Sequence, residues 1–465
     1  MRILFATAEL RPLVSSGGLG EAAAGLVAGL RRAGHEVEVV VPDYGRWDLD
    51  DVTEVEIEVP AWAGPARVRR GRHRAAGPVT LVEVPGIVRP HPYVDGEGIG
   101  WPDNDSRFAA FSAAVAAVAE RGDIDVLQLN DWHTGLVPAF VGSELPTVLT
   151  IHNLAHQGWT NIGWLHELPA NRDRYARGDA VNMLAGAIRS VDAVVAVSPT
   201  YAGEIVTPDG GMGLDDVLRA RAGTLVGIRN GIDVEAWNPA TDPELPVPYD
   251  RADRSGKAEA RAGLLERVGW VDDKRPLVAM VTRLVEQKGV DLAFEAARYL
   301  PGMRARLLVL GSGERHLADW GRELAAAAPD DVWFLDAYDA ALSHLLFGGA
   351  DLFLMPSRFE PCGLAQMQAM AYGTIPVVTP VGGLADTVVD IDADRTGTGV
   401  VARGVDVASV VDALHRGLAA WRHPGRRRGI QTRGMGIDWS WDEPAAAFVA
   451  LYESVRAERP ASRPG

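Results

Sequence analysis

The stretch PSRFEPCGLAQMQAMAYGTIPVVTPVGGLADTVVD, residues 356–390, contains the signals that decide the fold. A strongly apolar run at residues 350–355 precedes it, and a second apolar run at residues 374–379 lies inside it. Short continuous apolar runs are typical of strands that are buried in a parallel sheet. The stretch therefore predicts two parallel strands of an α/β protein, with one crossover between them.

Polar and small residues follow both of these predicted strands. Arg358, Glu360 and Cys362 stand just after the first one, and Gly363 can open the helix that comes next. The second strand ends near a glycine pair at residues 382–383, where backbone can approach a ligand closely. Ligands of open α/β sheets bind outside the carboxyl ends of the strands, and helix N-termini favour anions. This arrangement predicts a site for a charged, hydroxyl-rich ligand.

Length and composition narrow the class of protein. The 465 residues indicate two or three domains, and 47% hydrophobic with 23% charged residues is ordinary for a soluble globular protein. The formal net charge of −16 argues against general nucleic-acid binding. Cys362 is the single cysteine, which excludes an internal disulfide and a cysteine-based zinc site. Because no apolar run is as long as a membrane span and no signal-peptide layout is present, we expect a cytoplasmic protein without a membrane partner.

The first half of the chain alternates strands and helices. We predict a strand at residues 3–7, a helix at about 21–33 and a strand at 36–41, with a glycine loop at 15–20 in the first crossover. The glycines of that loop do not have the G-x-G-x-x-G spacing of a dinucleotide site. Three more strands are predicted at residues 126–129, 147–151 and 193–197, and polar residues follow each of them: Asp131 and His133, His152 and Asn153, and Ser198.

The pattern breaks at residues 243–257, which we interpret as an interdomain linker rich in proline, glycine and charge. The alternation then restarts, with strands predicted at 277–282, 305–310 and 332–335 and helices at 290–299 and 315–328. The sequence thus predicts two doubly wound domains, at residues 1–245 and 246–435. A helix within 436–456 and a disordered tail at 457–465 complete the expected organisation.

Arg283 and Lys288 come just beyond the first predicted strand of the second domain. Two cations there suit a diphosphate, although two solvated surface cations are an equally open interpretation. Glu360 can accept hydrogen bonds from sugar or ribose hydroxyls, or it can be an acid favoured at a helix N-terminus. Cys362 at a helix start can be a nucleophile with a lowered pKa, but a small residue that fills space beside a ligand is the preferred interpretation.

His152 ends an apolar strand, and Asp131 and His133 end a neighbouring one, so the three can converge. The histidines lack the short helical spacing of a zinc site, and we expect no metal, although Asp131 with His133 remains a conceivable ligand pair. The sequence contains neither a G-x-S-x-G nucleophile elbow nor a GKS or GKT phosphate loop.

A series of longer motifs follows in a fixed order along the chain: SSGGLG (15–20), WPDN (101–104) with RF (107–108), NDWHTGL (130–136), TIHNLA (150–155), VSPTY (197–201), NGID (230–233) with WNP (237–239), Arg283 with QKG (287–289), PSRFEPCGL (356–364), GGLADT (382–387) and WSWD (439–442). Together these motifs resemble the bacterial glycogen synthase and plant starch synthase family, glycosyltransferase family 5. The resemblance runs from Met1 to about Tyr452.

The resemblance implies the GT-B architecture, in which two Rossmann-like domains face each other and a C-terminal helix crosses back onto the first. The first domain would then be the acceptor side, and the second would hold the donor. It also implies a hexosyltransferase that retains the anomeric configuration by front-face attack and needs no metal or other cofactor. The family's default reaction moves glucose from ADP-glucose to an α-1,4-glucan. The expected partners are therefore a nucleotide-sugar donor and a glucan or small sugar acceptor.

The resemblance also implies roles for individual residues. Arg283 and Lys288 would neutralise the diphosphate, and Glu360 would hold sugar hydroxyls with help from the backbone of Cys362, Gly363 and Leu364. His152 would lie against the sugar near its anomeric carbon. The remaining expected contacts come from the glycine loop, the cleft and a base-stacking position: Ser15, Gly17 and Gly18; Asp131 and Asn153; and Tyr338.

The chain departs from the family pattern in its first loop, because Ser15 stands where the K-x-G-G-L motif has a lysine that reaches the donor diphosphate. Losing one charge-assisted contact costs ~1.5–3 kcal/mol where the contact is desolvated. Further departures are Glu21 for aspartate, Gln128 for histidine, His156 for tyrosine and Ala185 for lysine.

These departures favour an alternative function in specialised metabolism. A pseudoglycosyltransferase of the acarbose-pathway type joins a nucleotide-linked unsaturated cyclitol to an aminosugar. A third hypothesis, from another class, is a glucan-binding protein without catalytic activity. The retained Arg283, Lys288, Glu360 and His152 speak against it.

Overall fold

The structure is a computed structural model, and it describes residues 1–45, 47–393 and 395–458. The chain divides into two compact units. The N-terminal unit consists of Met1–Gly231 together with Trp441–Gly465, and the C-terminal unit consists of Ile232–Ser440.

The N-terminal unit is built on a large, mainly parallel sheet. Its strands and those of a small second sheet are, in chain order, β1 (Arg2–Ala6), β2 (Glu36–Pro42), β3 (Asp50–Ile57), β4 (Ala66–His73), β5 (Gly77–Glu83), β6 (Val126–Asn130), β7 (Thr147–Ile151), β8 (Trp159–Asn161), β9 (Ala176–Arg177), β10 (Ala180–Asn182), β11 (Ala193–Ala196) and β12 (Leu225–Gly227). The large sheet has the order β12-β11-β7-β6-β1-β2-β5-β4-β3 and is antiparallel only at β4 and β3. The small antiparallel sheet has the order β8-β10-β9.

The helices of this unit before the chain leaves it are α1 (Gly18–Arg32), α2 (Asn104–Arg121), α3 (Val137–Phe140), α4 (Arg172–Tyr175), α5 (Met183–Ser190), α6 (Pro199–Glu204) and α7 (Asp215–Arg219), with 3-10 turns at Ala61–Ala63, Trp132–Thr134 and Ile162–His166. Strand β1 is buried from its second residue onward, and Leu26 and Leu30 of α1 share one core with Phe5 of β1 and Val39 of β2. The alternation of buried positions along β2 and the apolar stripe of α1 therefore assemble the same core.

The C-terminal unit has a six-stranded sheet in which every neighbouring pair is parallel. Its strands are β13 (Leu277–Val281), β14 (Arg306–Gly311), β15 (Val332–Asp336), β16 (Leu352–Met355), β17 (Ile375–Val378) and β18 (Val400–Val401), in the order β15-β14-β13-β16-β17-β18. Its helices are α8 (Gly256–Val268), α9 (Val290–Ala297), α10 (Arg315–Ala327), α11 (Ala340–Gly349), α12 (Ala365–Ala371), α13 (Gly382–Thr387), α14 (Val407–Arg422) and α15 (Pro424–Gly434), with a 3-10 turn at Glu286–Lys288.

The last helix, α16 (Asp442–Ala457), belongs to the N-terminal unit, where Phe448 and Tyr452 join the core of that unit. Two glycines of α1 make room for the chain there. A Cβ atom at Gly25 would lie 1.9 Å from Nε1 of Trp441, and one at Gly29 would lie 2.9 Å from Cβ of Ala445. The predicted tail began at residue 457, but Ala457 ends this helix, and residues 459–465 lie outside the described residues.

The predicted linker at residues 243–257 is part of the C-terminal unit, and the chain passes between units at residues 231–232 and 440–441 instead of 245–246 and 435–436. Tyr249 explains the difference, because it is buried and its hydroxyl donates to the Tyr372 carbonyl at 2.9 Å. Lys257 already lies in α8. Among the described residues, no helix has both the length and the apolar character that a membrane crossing requires.

Candidate active site

Each large sheet reverses its strand order at one point, and the candidate residues follow the strands on either side of that point. In the N-terminal unit, the chain winds from β1 through β2 to β5 and then restarts at β6 on the other side of β1. In the C-terminal unit, it winds from β13 through β14 to β15 and restarts at β16 on the other side of β13. Ligands of doubly wound sheets bind at such switch points, beyond the carboxyl ends of the strands.

In the N-terminal unit, the predicted convergence of Asp131 and His152 takes place through backbone. Strands β6 and β7 are parallel neighbours, so the residues that follow them lie side by side. Oδ1 of Asp131 accepts a hydrogen bond from the backbone N–H of His152 at 2.7 Å and a longer one from Asn153 at 3.5 Å. The His152 ring is fixed separately, with Nε2 at 2.9 Å from Oδ1 of Asn130.

Burial sets the protonation of both side chains. Burial raises the pKa of Asp131 to about 7, against the opposing effect of the two backbone hydrogen bonds that it accepts. Burial lowers the pKa of His152 to about 3, so its imidazole is neutral at pH 7. Since the Asn130 amide nitrogen donates to the Ala6 carbonyl, Oδ1 of Asn130 is the acceptor, and we assign the imidazole proton to Nε2 of His152. Nδ1 of His152 is then a proton-free acceptor.

Asp131 also has an unusual backbone, with φ 54° and ψ −173°. A non-glycine residue in this region costs about 1–3 kcal/mol, and such residues cluster at functional sites. His133, two residues later, turns into an aromatic cluster instead, where its ring stacks on Tyr93 at 4.9 Å and meets Phe108 edge-on at 4.7 Å. Burial keeps the pKa of His133 well below its usual value. Among the described residues, no group of three or more His, Cys, Asp or Glu side chains is arranged to hold a metal ion.

The glycine loop after β1 is hydrogen-bonded to Glu9, a residue that the sequence analysis did not single out. Glu9 is buried, and its carboxylate accepts hydrogen bonds from the N–H and the hydroxyl of Ser16 at 2.7 and 2.8 Å. The Tyr93 hydroxyl donates to the same carboxylate at 2.7 Å. A glutamate shortly after the apolar stretch of β1 was the available signal, because such a side chain is rarely buried without partners.

The three loop residues named from the sequence remain accessible. Ser15 is exposed and its hydroxyl donates to the Gly17 carbonyl at 3.1 Å. A Cβ atom at Gly17 or Gly18 would meet nothing within 4 Å, so these glycines leave open space beside the start of α1. Glu21, one of the departures from the family pattern, forms an ion pair with Arg11 at 2.9 Å.

Among the other departures, Gln128 has partners on two neighbouring elements. Gln128 is fully buried in β6, where its amide nitrogen donates to the Thr150 hydroxyl at 2.9 Å and its amide oxygen accepts from the Tyr452 hydroxyl at 2.9 Å. It therefore links β6, β7 and α16. Ala185 is buried within α5, and His156 is exposed.

In the C-terminal unit, two loops bring the predicted donor residues together. We call residues 282–289 the Lys288 loop and residues 356–364 the Glu360 loop. They follow β13 and β16, which are parallel neighbours in the sheet. Nζ of Lys288 lies 2.8 Å from Oε1 and 2.7 Å from Oε2 of Glu360. Because the Glu360 side chain is only 6% exposed, this ion pair is largely desolvated.

Further contacts fix the Glu360 loop. Ser357 is buried and donates to Oε2 of Glu360 at 3.1 Å, and the Glu360 carbonyl accepts from the Gly383 N–H at 3.0 Å. Cys362 is buried as well, and a Cβ atom at Gly383 would lie 2.1 Å from its carbonyl oxygen. Gly363 has φ 71°, a conformation that favours glycine. The helix that was expected to open at Gly363 begins at Ala365.

Among the predicted donor residues of the C-terminal unit, Arg283 and Tyr338 are exposed to solvent. Arg283 is exposed, and its side chain has no hydrogen-bond or ion-pair partner among the described residues. Tyr338 follows β15 and is 81% exposed. Both lie beyond the carboxyl ends of strands of the same sheet, as Lys288 and Glu360 do.

Comparisons with known proteins match nearly the whole length of the chain. Residues 2–220 match the family model of the starch synthase catalytic domain, and residues 266–428 match that of the glycosyl transferases group 1. A glycogen synthase of Alkalilimnicola ehrlichii is 41% identical over 98% of this chain and 99% of its own length. A glycogen synthase of Anaeromyxobacter sp. is also 41% identical, over 98% of this chain and 100% of its own length.

A solved structure extends the similarity to three dimensions. The catalytic domain of Starch Synthase IV from Arabidopsis thaliana, bound to ADP and acarbose, has a TM-score of 0.88 with 32% identity and covers 98% of this chain and 99% of its own. The predicted GT-B architecture of two Rossmann-like domains with a C-terminal crossover helix is confirmed by this match and by the two family models. The chain belongs to the glycogen and starch synthase family of glycosyltransferases, as its sequence motifs predicted.

Proposed function

We propose that the protein is a retaining, metal-independent glucosyltransferase that moves glucose from a nucleoside diphosphate donor to an α-1,4-glucan. The observation that carries the proposal is the Lys288–Glu360 pair at the switch point of the C-terminal sheet. It sets a phosphate-binding cation directly beside a carboxylate that can hold sugar hydroxyls. The ADP and acarbose bound to the Arabidopsis relative support a nucleotide donor and a sugar acceptor for this chain as well.

In the proposed reaction, the bond between the anomeric carbon and the β-phosphate oxygen breaks, and its electron pair leaves with the nucleoside diphosphate. An acceptor hydroxyl forms the new bond on the same face of the sugar, which retains the configuration. Its proton passes to the departing phosphate oxygen. The charge that grows on the diphosphate is offset by Lys288 and by Arg283, which is exposed and unpaired within the described chain. These two side-chain cations can offset the charge without a metal ion.

The side chains of the N-terminal unit would serve the transferred sugar. Nδ1 of the neutral His152 can accept a hydrogen bond from a sugar hydroxyl near the anomeric carbon, because Nε2 is already used on Asn130. Asp131 and Asn153 would line the acceptor side, while Cys362, Gly363 and Leu364 would offer backbone groups to the donor. Exposed Tyr338 is free to stack on the nucleotide base.

One observation favours a second candidate. Ser15 provides a hydroxyl, held by the Gly17 carbonyl, where the family motif has a lysine for the donor diphosphate. An enzyme that couples a nucleotide-linked unsaturated cyclitol to an aminosugar could use this altered loop, because the double bond of the cyclitol supports allylic cation character at the reacting carbon. The same front-face step would then form a C–N bond.

The test offers the purified protein ADP-, UDP- and GDP-glucose with glycogen or maltooligosaccharides and measures both nucleoside diphosphate release and chain extension. We expect extension from one glucose donor, α-linked product by NMR and no loss of rate with EDTA. Turnover of a cyclitol nucleotide without glucan extension would support the second candidate instead. Release of no nucleoside diphosphate with any donor would leave a glucan-binding protein without catalytic activity.

A further inference from the structure

The two donor loops of the C-terminal unit are joined by a side chain that touches neither the proposed diphosphate site nor the proposed sugar site. Arg358 extends from the Glu360 loop to Asp291, the second residue of α9, which directly follows the Lys288 loop. Nη1 and Nη2 of Arg358 each lie 2.7 Å from one carboxylate oxygen of Asp291. This two-pronged contact is the strongest geometry available to an arginine and a carboxylate.

The same arginine contacts the Lys288 loop directly. Nη1 of Arg358 donates to the Glu286 carbonyl at 2.9 Å, and its backbone N–H donates to the Gln287 carbonyl at 2.8 Å. Gln287 returns a hydrogen bond from its amide nitrogen to the Phe359 carbonyl at 3.2 Å. In both loops these contacts come just before the Lys288–Glu360 pair, since residues 286 and 287 precede Lys288 and residues 358 and 359 precede Glu360.

The loops also meet through backbone. Gly289 has φ 63°, and a Cβ atom at this position would lie 2.0 Å from the Pro356 carbonyl oxygen. Only glycine lets the end of the Lys288 loop approach the start of the Glu360 loop so closely. The loops therefore meet at Gly289 and Pro356 as well as through the contacts of Arg358.

We propose that the Arg358–Asp291 pair is a positioning device that sets the distance between the Lys288 ammonium and the Glu360 carboxylate before the donor binds. The inference rests on the proposed function of those two residues. We assign Arg358 a positioning role because both N–H groups of Nη1 are used on Asp291 and Glu286, and Nη2 also donates to Asp291. The hydrogen bonds from Arg358 also lower the pKa of Asp291.

Pre-set geometry matters because the two groups bind different parts of one ligand. A nucleotide sugar that meets a correctly spaced cation and carboxylate loses less conformational entropy on binding than one that must order two mobile loops. Misplacement of a binding group by about 1 Å can cost ~100-fold in rate even when the altered residue does not touch the substrate. We therefore expect the donor KM to rise and kcat to fall when the pair is broken.

The experiment compares wild type with Arg358→Gln, Asp291→Asn, the double variant and the conservative Arg358→Lys. The matched control is Arg275→Gln. Arg275 is another partly buried arginine, and it contacts Asp273, Asp331 and the backbone carbonyl of Asp330. It lies just before β13, at the opposite end of the strands from the two loops. Hydrogen–deuterium exchange of peptides covering residues 282–289 and 356–364 reports loop order without any ligand. Titration with ADP, UDP and GDP, and steady-state rates with the donor that wild type uses, report the site.

We expect faster exchange in both loops and ~10- to 100-fold weaker nucleotide binding in Arg358→Gln and in Asp291→Asn, with no effect in the control. The double variant should be no worse than the poorer single variant, and Arg358→Lys should recover only part of the loss because lysine cannot make the two-pronged contact.

Unchanged exchange in both loops would overturn the proposal. So would an Asp291→Asn protein with normal nucleotide affinity beside a defective Arg358→Gln, since Arg358 would then be a ligand. If wild type bound none of the three nucleotides, the proposed function would fail, and the exchange data alone would decide whether the pair orders the loops.

Discussion

The ammonium nitrogen of Lys288 lies within 2.8 Å of both carboxylate oxygens of Glu360, so the two side chains proposed to bind the donor neutralise each other in the free protein. The Ser357 hydroxyl is a second donor to the same carboxylate. A donor that enters must exchange part of this pair for its own diphosphate and hydroxyl groups. The pair thus keeps both groups ordered and desolvated, while the attraction between them opposes binding of either half of the ligand alone.

Glu360→Gln should separate the binding of the two halves of the donor. The amide cannot neutralise Lys288, so ADP should bind at least as tightly as to wild type. Turnover of the sugar donor should fall by roughly 10- to 100-fold, because a charge-assisted hydrogen bond is worth about 1.5–3 kcal/mol. Calorimetric titration with ADP and steady-state rates with the nucleotide sugar check both parts. Ser357→Ala is the control and should lower turnover less than Glu360→Gln does. Equal weakening of ADP and of the sugar donor by Glu360→Gln would contradict the prediction.

Lys288→Met should destabilise the protein more than Lys288→Met combined with Glu360→Gln. The single variant leaves the Glu360 carboxylate buried without its cation, which costs about 3–5 kcal/mol, whereas the double variant removes the uncompensated charge as well. Chemical denaturation of the three proteins at pH 7, followed through the transition of the C-terminal unit, measures the difference. A double variant as unstable as the single one would mean that the ion pair adds nothing beyond its packing.

Asp131→Asn should become more stable relative to wild type as the pH rises. Burial raises the folded-state pKa of Asp131 from 3.8 to about 7. A carboxyl whose pKa is raised by folding stabilises the folded state fully below pH 4, and this contribution is lost as the pH rises through 7. A shift of about three units corresponds to roughly 4 kcal/mol. Unfolding free energies at pH 4.5 and pH 8 measure it, and Asn keeps the Oδ1 acceptor for His152, so a pH-independent difference would refute the burial effect.

Much of the fold was predictable because the central strands of both sheets are fully buried and therefore read as apolar runs. β7 was predicted to the residue, and β1, β6, β13 and β17 differ only at their ends. Strand β3 was not predicted, since all of it but Ile57 is exposed and its sequence looks polar. The linker at residues 243–257 was misplaced because its prolines and charges conceal Leu245 and Tyr249, which are buried in the C-terminal unit. Local composition cannot show which few residues of an irregular segment are buried.

The candidate site was predictable only as a set of residues at strand ends. The sequence placed Lys288 and Glu360 after two predicted strands of the second domain. It did not show that these strands are neighbours, and the direct ion pair depends on loop contacts from Gly289 and Arg358 that no spacing rule specifies. His133 and His152 looked alike from sequence. The structure separates them, since His133 stacks on Tyr93 whereas the ring of His152 is hydrogen-bonded to Asn130. Glu9 was missed because a single acid after a strand has no motif of its own.

Ser15→Lys should strengthen ADP binding by about 10-fold, since it restores the cation of the family motif at an exposed position with room for a longer side chain. Ser15→Met is the control, because it adds similar length without charge and should have no such effect. Titration with ADP measures the gain. If the native donor is a glucose nucleotide, turnover should rise as well. A fall in native turnover beside tighter ADP binding would instead favour the cyclitol donor.

Tyr452→Phe should destabilise the N-terminal unit by about 1–3 kcal/mol. The Tyr452 hydroxyl is the donor that satisfies the amide oxygen of Gln128, and both side chains are fully buried, so the variant leaves a buried acceptor without its partner. Gln128→Leu combined with Tyr452→Phe removes the polar groups from both sides and should lose less than the sum of the single variants. Chemical denaturation at pH 7 gives the coupling energy. If the two losses simply added, the hydrogen bond from Tyr452 to Gln128 would contribute no coupling energy, and the link between α16 and β6 would be one of apolar packing.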